Sequence, residues 1–448
     1  MPYLSPGPLQ YRPDVGAESG GDARPGHALL VDLQRRAFDY VLHEANPSNG
    51  LVKDNSRVGA HASIAAVGLA LAGFPVGVER GYVPRAEAAA RVRTTVRFFW
   101  ESEQSPARDA TGFRGFYYHF LSMDTGRRAW RSELSTIDTA LLLAGALLAA
   151  AYFDGADADE AEIRALATGL YNRTEWDWAL NATLDDRPVG LSHGWTPERG
   201  FLRFRWEGYN EALILYALAL GSPTHPIPAD SYDAWAAGHR WKTLYDIEHL
   251  YAGPLFIHQL SHSWIDLRGV QDAGMRARGS DYFENSRRAT YVHRAYAARN
   301  PRGFAGYGPH AWGVTASDGP GRTAGGEAPR SAWAYRARGV PYGPDDGTLS
   351  LWAVAASLPF APEIVLPALA YAAEHVPEAA GRYGFVSAYN PTVPGGWVST
   401  DCFGLDQGPA VLMIENYLTG QPWELMRGCA PLRAGLRRAG FAGGWLDT

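Results

Sequence analysis

The chain has 448 residues, of which 46% are hydrophobic and 20% are charged. This apolar content suffices for a large core and excludes disorder as the main state. The 41 basic and 47 acidic side chains give a net charge of −6, which argues against nucleic acid as a partner. Two cysteines, Cys402 and Cys429, are too few for a disulfide framework or a four-thiolate zinc site. They could form one bridge, but we expect two free buried thiols.

No apolar run reaches the roughly 18 residues of a membrane span, so we expect no membrane association. The first 25 residues lack the apolar core of a secretory signal. We therefore expect a cytoplasmic protein, or a periplasmic one if a signal peptide has been removed. The 15 Trp, 23 Tyr and 17 Phe side chains suit a carbohydrate site, where sugar faces stack on rings, and equally suit a large helical core.

Hydrophobic spacing predicts a series of helices joined by aromatic, glycine-rich loops. After an extended arm at 1–26, the predicted helices are 27–45, 58–74, 84–102, 135–153, 157–174, 209–222, 232–245, 253–267, 286–300, 349–360, 362–376, 408–420 and 431–440. The segments 112–130 and 194–206 read as β-hairpins. The stretch 301–347 has little helical signal, and long loops of this kind are usually functional.

Very apolar helices alternate with amphipathic ones along the chain. Helices 135–153 and 209–222 are apolar on all sides, as expected of inner helices, whereas 84–102 and 157–174 have a polar face. Two concentric rings satisfy this alternation, so we predict an all-α fold, an α/α toroid with short hairpins in its loops. We expect one domain from 27 to 448, with a cleft formed by the loops at one end.

Acidic residues precede or begin three of the apolar helices. They are Glu133, Asp138, Glu211, Asp401 and Asp406. A single such residue is most simply a helix N-terminal carboxylate, which the helix dipole favours. The set, close to Trp and Tyr, also fits glycoside hydrolysis, in which one carboxylic acid protonates the leaving oxygen and another carboxylate activates water. An apolar pocket would raise the pKa of the acid.

Other chemistry finds little support. His258 and His262 have an i, i+4 spacing that can chelate a metal, but they lack a clear third ligand and read as core histidines. No dinucleotide, phosphate-loop or nucleophile-elbow motif is visible, so we expect no cofactor and no metal.

Six ordered segments resemble the bacterial glucoamylase-like family, which includes the β-1,2-glucanases of glycoside hydrolase family 144. They are STIDTALLLAGALL, RWEGYNEALILYALALGSPTHPI, DYFENSRRATYVHRAYAARNP, YGPHAWGVTASDGP, DDGTLSLWAVAASLPFAPE and GLDQGPAVLMIENYLTGQPWELM. The resemblance implies an (α/α)6 barrel, no metal requirement, and inverting hydrolysis of β-1,2-glucan or sophoro-oligosaccharides. It covers about residues 30 to 430.

The resemblance also implies roles for residues. Glu211, in GYNEALILY, is the candidate acid, and the base is Asp401 or Asp406, with Asp406 favoured because it lies closer to the following helix. Glu133 and Asp138 would bind sugar hydroxyls or hold the water. The candidate sugar-binding residues are Arg276, Tyr282, His310, Trp312, Thr315, Asp318, Tyr389, Trp397 and Gln407. Ser387 stands near a position where the family has an acidic residue, so substrate or product length differs if that position contacts sugar.

Three functions remain open from the sequence. The first is a hydrolase, expected to be exo-acting and to release sophorose. The second is a transglycosylase of the same fold, and the third is a non-catalytic carbohydrate-binding toroid. Retention of Glu211, Asp401 and Asp406 disfavours the third.

Overall fold

A computed structural model of the protein describes residues 26–180, 189–321 and 334–448. The predicted arm therefore lies almost wholly outside the described residues. The helices are α1 (His27–His43), α2 (Ile64–Glu79), α3 (Arg85–Glu101), α4 (Thr136–Tyr152), α5 (Ala158–Asn172), α6 (Leu213–Gly221), α7 (Asp230–Ala236), α8 (Ala273–Ala277), α9 (Tyr282–Arg299), α10 (Leu351–Ala356), α11 (Pro362–His375), α12 (Gly404–Leu418), α13 (Gln421–Arg427) and α14 (Ala430–Arg438).

The helices form two concentric layers, which confirms the predicted toroid. The inner elements alternate along the chain with the outer helices α1, α3, α5, α7, α9 and α11. Helices α2, α4, α6, α10 and α12 are buried on nearly every side, while each outer helix buries one face. The inner position between α6 and α10 is filled by two 3-10 turns, Leu255–His258 and Leu260–Ser263.

The inner ring closes on itself. Helix α2 packs between α4 and α12, α4 also contacts α6, and α12 contacts α10. The 3-10 turns complete the circle through side chains: the Ser261 hydroxyl donates to the Glu211 carbonyl at 2.9 Å, and Gln259 Nε2 donates to the Ala353 carbonyl at 2.6 Å.

Glycines allow α2 and α4 to approach backbone to backbone. A Cβ added at Gly145 would lie 1.9 Å from the Gly68 carbonyl oxygen, and one added at Gly68 would lie 2.3 Å from the Leu141 carbonyl oxygen. The segments VGLALAG of α2 and ALLLAGALL of α4 therefore pack closer together than two helices with larger side chains at these glycine positions could.

The strands are short and lie in the loops. They are β1 (Ala62–Ser63), β2 (Gly112–Phe113), β3 (Phe116–Tyr118), β4 (Phe120–Leu121), β5 (Leu134–Ser135), β6 (Gly194–Thr196), β7 (Gly200–Phe201), β8 (Trp241–Leu244), β9 (Ile247–Leu250), β10 (Ala316–Ser317), β11 (Arg336–Ala337), β12 (Ala380–Gly381), β13 (Gly384–Phe385), β14 (Tyr389–Asn390) and β15 (Trp397–Val398).

An antiparallel sheet of order β2-β3-β5-β6-β7 joins the loops that precede α4 and α6. Within it, β2 pairs with β3 (Gly112 opposite Tyr117) and β6 pairs with β7 (Trp195 opposite Phe201), which confirms antiparallel pairs inside both segments predicted as hairpins. Strands β8 and β9, each of four residues, form a separate hairpin in which Trp241 lies opposite Leu250. That hairpin corrects the predicted helix at 232–245, which ends at Ala236.

Other boundaries also differ from the sequence pattern, and three of them bear on the site. The predicted helix 253–267 is instead the pair of 3-10 turns, because its polar side chains bond to neighbouring inner helices. Helix α6 begins at Leu213 and α12 at Gly404, so Glu211 lies before its helix and Asp406 lies inside the first turn of its own. Both cysteines are free and buried, as predicted. Among the described residues, no helix combines the length and hydropathy needed to cross a bilayer.

Candidate active site

A cavity of about 530 Å³ opens at one end of the inner ring. Its lining comes from the N-terminal ends of the inner elements: Ser63 before α2, Asp138 in α4, Glu211 before α6, Trp352 in α10 and Asp406 in α12. Helix N-termini carry partial positive charge, so this end of the toroid favours carboxylates. The predicted acids Glu133, Asp138, Glu211 and Asp406 all line it.

Glu211 stands in the turn immediately before α6, half-buried in the cavity wall. Its backbone is fixed on both sides, because its carbonyl accepts from Ser261 and the Asn210 side chain accepts from the Ala212 N–H at 3.2 Å. Burial raises the pKa of Glu211 to about 7; its own backbone N–H opposes the shift and the negative Asp138 adds to it. A carboxyl group with this pKa is protonated often enough at neutral pH to act as a general acid.

Asp406 is buried in the first turn of α12. Burial raises its pKa well above the ordinary range, a hydrogen bond with Ser387 opposes this, and the charges of Asp54 and Asp318 add to it. Among the described residues, its Oδ2 atom has no hydrogen-bond partner. A buried oxygen of this kind is stabilised by any hydroxyl or water that enters the cavity.

Asp401 does not line the cavity. Its Oδ2 accepts from Arg57 Nε at 2.8 Å, and a second nitrogen of the same guanidinium lies 2.8 Å from Asp318 Oδ2. Arg57 itself lines the cavity, so Asp401 is joined to the lining through this arginine. Of the two candidate bases, Asp406 is therefore the one placed to touch a ligand.

Glu133, His119 and Asp138 form a chain of charged groups along one wall. His119 Nδ1 lies 2.9 Å from Glu133 Oε1, and Nε2 lies 3.5 Å from Asp138 Oδ2. Burial would lower the pKa of His119, but Asp138 and Glu133 outweigh it and raise the pKa to about 9. Burial likewise favours neutral Glu133, but the His119 hydrogen bond outweighs it and the pKa of Glu133 is lowered.

The same three side chains are close enough to hold a metal ion, with ligand atoms within 4.8 Å of one another. Without a metal ion the two carboxylates favour the protonated ring of His119, so a metal that bound here would have to displace that proton. The arrangement is that of an imidazolium held between two carboxylates. The Ser135 hydroxyl completes it by donating to Asp138 Oδ2 at 2.5 Å.

Aromatic rings supply the apolar walls. His193 stacks on Trp206 at 3.8 Å and His119 on Phe120 at 3.9 Å, and all four line the cavity. The other aromatic lining residues are Phe256, Tyr335, Trp352 and Phe403. Flat apolar surfaces beside ionisable oxygens match the two faces of a sugar ring.

The residues predicted to bind sugar are not among the lining residues of this cavity. Three of them lie behind the lining residues. Thr315 Oγ1 accepts a hydrogen bond from the Phe256 N–H at 3.0 Å, and Asp318 accepts one from Arg57. Gln407 Nε2 donates to the Phe385 carbonyl at 2.8 Å. Trp312 is fully buried.

The remaining predicted residues have other surroundings. Tyr282 is buried with its hydroxyl donating to Asp272, and Arg276 donates to the carbonyls of Gln271 and Gly440. His310 is exposed and stacks on Tyr371. Tyr389 and Trp397 belong to the paired strands β14 and β15. These five side chains lie outside the lining of the cavity, so the geometry gives no support for their direct contact with a sugar bound there.

The sequence reasoning missed His119, Asp54, Arg57 and Tyr335, which line the cavity. His119 belongs to a predicted hairpin and the other three residues to loops. The spacing of apolar residues in such segments does not show which side chains enter a site. Closing the ring of helices brings them together. The histidines at the chelating spacing, His258 and His262, are buried in the core as expected, and burial lowers the pKa of each.

Comparisons with known proteins agree with this architecture. A family model described as "Putative glucoamylase" matches residues 203–430. The chain is 28% identical over 444 residues to an exo β-1,2-glucooligosaccharide sophorohydrolase (non-reducing end) of Parabacteroides distasonis. That match covers 92% of the chain but only 57% of the relative, so the chain spans little more than half the relative's length.

Two solved structures are similar over nearly their whole length. A glucoamylase-type protein of Bacteroides uniformis is 31% identical with a TM-score of 0.83, covering 94% of this chain and 98% of its own. An endo-β-1,2-glucanase of Chitinophaga pinensis, in complex with sophorotriose and glucose, is 26% identical with a TM-score of 0.80, covering 93% and 99%.

Proposed function

Since the chain belongs to the glucoamylase-like family, we propose that it hydrolyses β-1,2-linked gluco-oligosaccharides by an inverting acid–base mechanism. The observation that carries the proposal is Glu211, a carboxyl group with a pKa near 7 in an aromatic-walled cavity that Asp406 also lines. The activities named for the Parabacteroides and Chitinophaga relatives support the linkage.

In this mechanism Glu211 donates its proton to the glycosidic oxygen as the bond to the anomeric carbon breaks. A water molecule attacks that carbon from the opposite face, and Asp406, in its ionised form, takes the proton. The products are two shorter sugars, and the configuration at the new reducing end is inverted. The unpartnered Oδ2 of Asp406 is the acceptor that such a water needs.

The charged group formed by Glu133, His119 and Asp138 has a role separate from those of the acid and the base. The carboxylates of Glu133 and Asp138, which both face the His119 ring, accept hydrogen bonds from sugar hydroxyls. Their negative charge also stabilises the positive charge that develops on the sugar ring in the oxocarbenium-like transition state.

The mode of attack follows the Parabacteroides relative. We propose exo action with release of sophorose, because that relative is a sophorohydrolase acting at the non-reducing end. Early product ladders distinguish the modes: exo action gives sophorose alone, whereas endo action gives a spread of chain lengths.

The test is product analysis on linear β-1,2-glucan, with β-1,3-, β-1,4- and α-1,4-glucans in parallel. We expect cleavage of the β-1,2 chain alone, with the anomer of the first product inverted by NMR. Glu211→Gln should be inactive, and Glu207→Gln, an exposed carboxylate four residues earlier, is the matched control. Cleavage of another linkage in place of the β-1,2 chain would overturn the substrate, and products longer than the substrate would indicate transglycosylation.

A further inference from the structure

Large exposed apolar side chains crowd around the mouth of the cavity. Tyr335 lines the cavity, and three more adjoin its lining: Val58, Trp130 and Phe204. Exposed apolar surface gathered beside a cleft marks a contact site more often than scattered surface residues do. Trp130 offers the largest flat ring of the group, and the residue is 63% exposed.

Trp130 packs against one lining residue of the cavity and against the loop that precedes β1. Its ring lies 5.1 Å from that of Phe120, a lining residue, at an interplanar angle of 61°. It lies 4.4 Å from the ring of His61, at 72°. His61 ends the loop that carries the lining residues Asp54 and Arg57. With these two contacts made, the residue is still 63% exposed, so ring surface remains available to a ligand.

The backbone at this point is held in an unfavourable conformation. Trp130 has φ of 53° and Arg131 has φ of 57°, both in the left-handed region that large side chains rarely adopt. The turn is fixed by a hydrogen bond from the Ser132 N–H to the Ala129 carbonyl and by one from Arg128 Nε to the Ser132 carbonyl. Strain of this kind persists mainly where it serves function, and here it turns an indole outward.

We propose that Trp130 is a stacking platform for a glucose unit of the substrate that remains outside the catalytic cavity. A path of rings connects the two places: Trp130 packs on Phe120, Phe120 stacks on His119, and His119 binds Glu133 and Asp138. A chain whose reacting unit lies at the carboxylates can therefore lay a further unit on the indole. The inference rests on the proposed function and adds a subsite that favours longer chains.

The test compares chain lengths rather than overall activity. Trp130→Ala should lower kcat/KM about 10-fold on long β-1,2-gluco-oligosaccharides, through KM, which is the size expected for one aromatic stacking contact. On the shortest oligosaccharide that is cut, the loss should be under about 2-fold. Trp130→Phe should recover much of the affinity, because a smaller ring still stacks.

The matched control is Trp100→Ala. Trp100 is also exposed, but it lies on the outer helix α3, with the Arg173 guanidinium over its ring. Trp100→Ala should leave kcat/KM unchanged on both long and short oligosaccharides. Calorimetric titration of a long oligosaccharide into Glu211→Gln, with and without Trp130→Ala, separates binding from turnover.

The outcomes are distinct. Equal losses on short and long chains would mean that Trp130 only supports the fold and would overturn the platform. A loss of kcat/KM confined to long chains in Phe204→Ala, with no such loss in Trp130→Ala, would also overturn the platform. Wild-type protein that cuts no β-1,2 oligosaccharide would remove the proposed function and the platform together.

Discussion

Replacement of Glu211 by glutamine should abolish turnover and, at alkaline pH, stabilise the fold. Burial raises the pKa of this carboxyl from its ordinary 4.5 to about 7 in the folded protein. At ~1.4 kcal/mol per pH unit, ionised Glu211 destabilises the folded state by about 3 kcal/mol once the pH exceeds the folded pKa. The penalty is absent below the unfolded pKa and grows between the two values, because an acid with a raised folded pKa loses stability as pH rises.

Glutamine has nearly the same shape and no charge, so Glu211→Gln removes only the pH-dependent part. For a chain of this length, about 3 kcal/mol corresponds to a rise in Tm of about 3 °C at pH 8, with under ~1 °C at pH 5. The assay is thermal unfolding of wild type and variant at both pH values, together with hydrolysis of β-1,2-glucan. Glu207→Gln is the control for a generic loss of charge.

Two results would refute this reasoning. A difference in Tm between wild type and Glu211→Gln that is the same at pH 5 and pH 8 would mean that Glu211 is not a buried acid with a raised pKa. Turnover within a few-fold of wild type would remove Glu211 from the acid role, whatever the stability measurement shows.

The other predictions concern the base, the charged group Glu133, His119 and Asp138, and the packing of the inner helices. Asp406→Asn should lower kcat at least 100-fold and Asp401→Asn much less, because only Asp406 lines the cavity; equal effects in steady-state assays would place the base elsewhere. His119→Gln removes the imidazolium between Glu133 and Asp138, so the negative charge near Glu211 increases and the alkaline limb of the kcat profile should move to higher pH; an unmoved limb would contradict the electrostatic role. Gly145→Ala should lower stability in chemical denaturation by about 1–3 kcal/mol, because its Cβ would meet the Gly68 carbonyl. Gly73→Ala, whose new Cβ meets only Val411 at 3.9 Å, should not destabilise the fold.

The carboxylates show why a pKa assignment needs the folded structure. Glu211, Asp138 and Asp406 all sit at helix N-termini in the sequence pattern, where the helix dipole alone would favour negative charge. In the fold, burial raises the pKa of Glu211 and Asp406, while Asp138 is hydrogen-bonded by Ser135. Desolvation depends on what surrounds each carboxyl, and its neighbours come from other inner helices.

The sequence by itself determined the alternation of inner and outer helices, both hairpins, and the group of acids at the starts of the apolar helices. These features depend on local patterning, and an all-round apolar helix such as α4 can be stable only inside a second layer. Resemblance to a family then made Glu211 the candidate acid.

The tertiary structure alone decided the rest. Closure of the ring turned 253–267 into 3-10 turns, because Gln259 and Ser261 bond to other inner elements. It also placed His119 between two carboxylates, Arg57 between Asp318 and Asp401, and Trp130 at the mouth. Most of these partners are far apart in the chain, and loop side chains have no periodicity. Their chemistry comes from long-range packing, which a local pattern cannot encode.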